Sequence, residues 1–177
     1  MTEIKNDATE APTDPIFVIS RTFDAPRELV WEAWTNPEHM KHWWGPKGCA
    51  VRSAKMDLRP GGIYHYCMRT PDGRDMWGKF VYREIVAPER LVFVNSFSDE
   101  TGGLTRHPMS PTWPLEMLST FTLVEQEGRT TLTIEWLPLN ANEVERKTFD
   151  DGRSGMTGGW TGTLDQLAEY LAKAVGQ

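Results

Sequence analysis

Cysteine is nearly absent. The 177 residues hold only Cys49 and Cys67, with neither a CxxC pair nor metal-ligand spacing. That excludes a disulfide framework of the secreted kind. Long apolar runs are also missing, since none approaches the roughly 18 residues a membrane-spanning helix needs. There is no run of Lys and Arg, and 19 basic against 25 acidic residues leave a formal net charge of −6. Nucleic acid and anionic membranes are held by basic patches, so neither is an expected partner. Histidines number four, too few to assert a Ser–His–acid order, and no GxSxG or SxxK occurs. The opening MTEIKNDATEAPTDP lacks the apolar stretch of a signal peptide. Residues 1–14 are read as a disordered tail, residues 15–177 as a single domain, and a cytoplasmic location is expected.

Aromatic surface is plentiful: eight residues are Trp. Trp brings a large apolar body and one hydrogen-bond donor, which suits a pocket wall as well as a core. Exposed Trp residues leave a homodimer open. The longest patterned stretch is the last, GMTGGWTGTLDQLAEYLAKAV. Trp160, Leu164, Leu167, Leu171 and Val175 recur at the spacing of one helical face. Asp165, Gln166, Glu169 and Lys173 fall between them and are expected to face water. Gly155, Gly158, Gly159 and Gly162 are poor helix residues, each costing about 1 kcal/mol relative to Ala. Either the helix starts late, or its first half needs its backbone close to something else. The favoured arrangement lays the helix across a curved sheet with its glycine-rich end near a cavity mouth.

Upstream, Ile16–Phe23 reads as a strand with Val18 and Phe23 as core. Asp24-Ala25-Pro26 then starts a helix whose buried stripe is Leu29, Val30, Ala33 and Trp34. A second short helix, Glu38–Trp43, ends at Gly45-Pro46. Strands follow over Cys49–Leu58, Ile63–Arg69, Asp75–Val86, Leu91–Phe97, Leu115–Glu125 and Thr130–Leu137, joined by turn residues such as Pro60-Gly61-Gly62 and Pro71-Asp72-Gly73. In Ile63–Arg69, alternation places Tyr64, Tyr66 and Met68 on one face and His65, Cys67 and Arg69 on the other. The polar segment Ser98–Pro114 is a long loop, and loops of that length are often functional. Asn142–Asp151 reads as a short charged helix. One strand, two short helices, about six antiparallel strands and a long terminal helix make an α+β domain.

Four segments, FDAPRELVWEAWTNPEHMKHWWGP, DLRPGGIYHYCMRTPDG, APERLVF and GGWTGTLDQLAEYLA, resemble the SRPBCC (START-like) superfamily. Within it they are most similar to the family named for homologues of the activator of the heat-shock-protein-ninety ATPase. The likeness runs from about Ile16 to Ala174. It implies a helix-grip fold: a curved antiparallel sheet of about seven strands around the C-terminal helix, enclosing a deep apolar cavity. It also implies binding of a hydrophobic small molecule, aromatic or lipid-like, with no cofactor. Some members of the superfamily are instead cyclases, dehydratases or hydrolases. The family name comes from co-chaperones with an additional N-terminal domain, which this sequence does not display, so chaperone contact is not expected.

The ligand-binding set expected from these readings is Tyr64, Tyr66 and Met68 on the sheet and Trp160, Thr163 and Leu164 on the helix. Trp44, Trp77, Phe80, Trp113 and Met117 add to it, with Trp43 or Trp44 entering the core and the other closing the cavity. The alternative for this set is a packed core. An enzyme would need a polar pair, for which His107 and Glu116 are the candidates, with Arg106 or Tyr66 as partners of an inward Glu116. His39 and His42 stand at i, i+3 on the second helix, a spacing that can hold a metal if His65 or an acid joined them. Exposed helix surface is the simpler reading, and no metal is expected. A chaperone-associated module would instead show an exposed apolar patch.

Overall fold

The computed structural model describes residues 16–175, so the tail read over residues 1–14 lies outside the described residues. In chain order the elements are β1 (Phe17–Phe23), α1 (Arg27–Thr35), α2 (Pro37–Met40), β2 (Ala50–Met56), β3 (Ile63–Arg69), β4 (Asp75–Val86) and β5 (Arg90–Ser98). After them come β6 (Leu104–Thr105), β7 (Glu116–Gln126), β8 (Arg129–Leu139), α3 (Glu143–Asp151) and α4 (Arg153–Val175). The strands form one antiparallel sheet in the order β1-β8-β7-β5-β4-β3-β2, curved and unclosed, with β6 paired to β5 alone. The eighth strand is β6, a two-residue piece inside the segment read as loop.

Period-two alternation decides which side chains face inward. On β7, Met117, Ser119, Phe121 and Leu123 are buried. On β3 the inward row is Tyr64, Tyr66 and Met68, as its alternation predicts. On β1 the expected core pair divides. Phe23 is core together with Phe17, while Val18 is 56% exposed, because strand residues an odd number apart point to opposite faces. The strand expected from Cys49 begins at Ala50 and ends at Met56.

Helix α1 is capped by Pro26 rather than Asp24 or Ala25. No side chain closes its end, and the Arg27 amide donates instead to Glu125 on β7 at 3.1 Å. Its stripe Val30, Ala33 and Trp34 is buried. Helix α2 is shorter than the expected Glu38–Trp43. Asn36 accepts from the Glu38 amide at 3.0 Å and Pro37 opens the first turn, but regular helix stops at Met40.

Helix α4 lies against the inner face of the sheet, burying Trp160, Leu164, Leu167 and Leu171. Each such burial is worth about 1.5–3 kcal/mol. Val175, the last of the expected stripe, is half exposed. Two residues expected in water are engaged: Asp165 pairs with Arg21 of β1 at 2.5 Å, and Gln166 donates to the carbonyls of Trp43 and Gly45 at 3.1 and 2.7 Å. The helix starts at Arg153 and runs through all four glycines. Among the described residues no helix is long and apolar enough to cross a membrane.

Candidate functional site

Between the sheet and the first half of α4 lies a cavity of about 450 Å³. Its walls are Tyr66 and Met68 of β3, Phe80 of β4, Met117 of β7, and Met156, Trp160 and Thr163 of α4. Trp44, Gly45 and Pro46, after α2, cover one side, and His107, Trp113, Pro114 and Leu115, before β7, cover another. None of the bordering residues is Asp, Glu, Lys or Arg.

Gly152, just before α4, and Gly155 and Gly159 within it contribute to the helix side of the wall. A Cβ built on Gly155 or Gly159 would meet nothing within 4 Å. The reading that this backbone needs a close neighbour is therefore corrected: the missing side chains leave space, and both glycines are exposed along the cavity.

Of the residues singled out from the sequence, Trp44, Tyr66, Met68, Phe80, Trp113, Met117, Trp160, Thr163 and His107 all border this space. Tyr64 and Leu164 do not. Both are sealed in the core, at 0% and 1% exposure: Tyr64 lies two residues before Tyr66 on β3, and Leu164 a turn beyond Trp160 on α4. Trp77 borders the cavity, yet its ring stacks on His65 at 5.0 Å. Its cross-strand partner is Cys67, of the parity opposite to Tyr66, so the indole belongs to the other face. Trp43 is the member of the Trp pair that enters the core, donating to the Ala33 carbonyl at 3.2 Å.

Glu116 precedes the inward Met117 on β7 and takes the opposite face, so it does not join His107 in the cavity. Arg106 pairs instead with Glu145 of α3 at 2.6 Å and donates to the Trp113 carbonyl at 3.2 Å, tying the Trp113 segment to that helix. His107 stands alone as a titratable histidine at the wall. Its Nδ1 accepts from the Met109 amide at 3.0 Å, and burial lowers its pKa, which favours the neutral ring. His39 and His42 both lie on Tyr170 of α4, the first by a hydrogen bond to its hydroxyl and the second stacked at 5.7 Å. Among the described residues no group of three His, Cys, Asp or Glu gathers as a metal site. Burial pushes the thiols of Cys49 and Cys67 up, away from reactive thiolate.

The polar groups of the cavity come from the sheet, from α4 and from the segments that cover it. Thr163 is already used, donating to the Gly45 carbonyl at 3.1 Å. Burial pushes the Tyr66 phenol far above its ordinary range, so it stays protonated. The Trp44 indole meets it edge-on at 5.9 Å without closing a hydrogen bond. Asn95 of β5 accepts at Oδ1 from the fully buried Ser119 at 2.5 Å. Trp136 of β8, cross-strand from Ser119, has its Nε1–H buried without a partner among the described residues.

Asn95 and Trp136 were not picked out from the sequence, although the signal for both is alternation. Leu91, Phe93, Asn95 and Phe97 share one parity on β5, and Leu132, Ile134 and Trp136 share one on β8. A polar residue at an inward position of an apolar strand is the informative exception.

The family model described as "Activator of Hsp90 ATPase homolog 1-like protein" matches residues 24–172. Comparison with curated proteins returns no significant match. Among solved structures, the chain is similar to a protein from Arthrobacter aurescens, at 28% identity and a TM-score of 0.72 over 89% of this chain and 86% of that one. It is similar to one from Nitrosomonas europaea at 25% identity and a TM-score of 0.71, over 92% and 97% of the two chains. The AHSA1 protein from Silicibacter pomeroyi shares the fold at 20% identity and a TM-score of 0.68, over 90% and 99%. The matched residues span both short helices, the strands from β2 onward and most of α4, and the chain belongs to the family of Hsp90 ATPase activator homologue 1-like proteins, with the SRPBCC-type fold.

Proposed function

We propose that the protein binds an apolar small molecule between its sheet and α4. The observation that carries this is the cavity itself: about 450 Å³, walled by Trp44, Tyr66, Phe80, Trp113 and Trp160. Cavities of roughly 300–1,000 Å³ with aromatic walls and a few placed polar groups are the usual form of a small-molecule site. The glycines of α4 support the reading. Each costs about 1 kcal/mol of helix stability against Ala, and packing does not require Gly155 or Gly159, since a Cβ at either meets nothing. Their effect is to keep the wall open.

Titration with an environment-sensitive apolar dye tests this. Saturable binding at one dye per chain is expected, lost in Gly159→Leu, whose side chain enters the cavity, while the far-ultraviolet circular dichroism stays unchanged. Dye binding that is absent, or that survives in a folded Gly159→Leu, overturns the reading.

A further inference from the structure

We infer that the ligand is an uncharged aromatic molecule bearing a hydrogen-bond acceptor of the carbonyl type, held at a donor row formed by Asn95 and Trp136. The inference rests on the cavity reading above and adds the chemistry of the occupant.

Three adjacent strands build the row. Asn95 on β5 pairs with Met117 on β7, Ser119 lies two residues further along β7, and Trp136 on β8 stands directly opposite Ser119. All lie on the inward face, and Ser119 is fully buried. The Ser119 hydroxyl donates to Asn95 Oδ1 at 2.5 Å. That occupies the acceptor of the amide and leaves its two N–H donors at the cavity wall. The Trp136 Nε1–H can only donate, and it is buried without a partner among the described residues. A buried donor left unpaired is costly, and the remedy is an acceptor from outside the protein.

The charge of that acceptor follows from the rest of the wall. No Lys or Arg borders the cavity, and burial holds His107 toward its neutral form. A carboxylate would enter without a counter-charge and lose its hydration. A neutral carbonyl gains the same hydrogen bonds at much smaller desolvation. The flat shape follows from the rings of Trp44, Tyr66, Phe80 and Trp160 around the space.

The test uses three probes of one skeleton, naphthalene, 2-acetylnaphthalene and 2-naphthoate, titrated by calorimetry against the full chain, Trp136→Phe and Asn95→Leu. Trp136→Phe keeps an aromatic ring while deleting the donor along with part of the indole, so naphthalene serves as the control for lost ring contact, and the variant reports even if Asn95→Leu fails to fold. The expected result is that 2-acetylnaphthalene binds about ten-fold more tightly than naphthalene, with 2-naphthoate weakest. Trp136→Phe should bring the ketone to within about three-fold of the hydrocarbon measured in the same variant. Equal affinities for ketone and hydrocarbon, tightest binding of the carboxylate, or an unchanged preference in Trp136→Phe each overturn the donor-row inference and leave the cavity reading standing. Binding of none of the three overturns both.

Discussion

The Tyr66 phenol lies across Gly78, its strand partner on β4, so closely that a Cβ at position 78 would stand 2.5 Å from the hydroxyl and 2.6 Å from Cζ. The ring thereby uses the space of a side chain that is not there, and it stays flat along the cavity wall between Trp44 and Phe80. Gly78→Ala is expected to drive the ring out of this place and to cost about 1–3 kcal/mol, the range for overpacking. Urea unfolding should show a lower midpoint at unchanged slope. In a Tyr66→Val background the same change should cost much less, a non-additivity that a purely local effect at position 78 would not produce.

The glycines of α4 predict the opposite sign. Gly155→Ala and Gly159→Ala add a Cβ where nothing stands within 4 Å. Each should raise stability by about 0.5–1 kcal/mol, through helix propensity and a less flexible unfolded chain. Thermal unfolding measures the gain. A loss of stability in both variants would mean that this stretch of α4 packs more closely than the structure has it.

His107 predicts a pH dependence. Burial depresses its pKa in the folded protein below the ordinary value of about 6.5. Between the folded and the unfolded values the unfolded chain binds more protons, so stability rises with pH across that window. The contribution is fully present above pH about 6.5 and is lost as the solution is acidified below it. His107→Gln should remove this component. The check is the difference in urea midpoint between wild type and variant from pH 5 to 8, which also separates His107 from the other three histidines. A difference that stays flat with pH would rule the effect out.

Local chemistry made most of the fold legible. Period-two alternation on β3 placed Tyr66 and Met68 on one face, the four-three-four spacing of Trp160, Leu164, Leu167 and Leu171 gave the buried stripe of α4, and the turn residues separated the strands. The errors have local causes of their own. Val18 was read inward because an apolar run does not display its parity, and the start of α1 at Pro26 was missed because the acceptor of its first amide, Glu125, comes from across the chain.

The site was legible only in part, and the division is physical. Which face a side chain takes is a property of its own strand or helix, so the sequence by itself determined that Tyr66, Met68, Phe80 and Trp160 point into one interior. Whether such a side chain meets a neighbour or empty space depends on the curvature of the sheet and on how far each position lies from α4. Tertiary structure alone decided that Tyr64 and Leu164 are sealed while Tyr66 and Thr163 border the cavity. It alone set Asn95, Ser119 and Trp136 in one row. Those three residues are far apart in the chain, and only the order β5-β7-β8 brings them side by side.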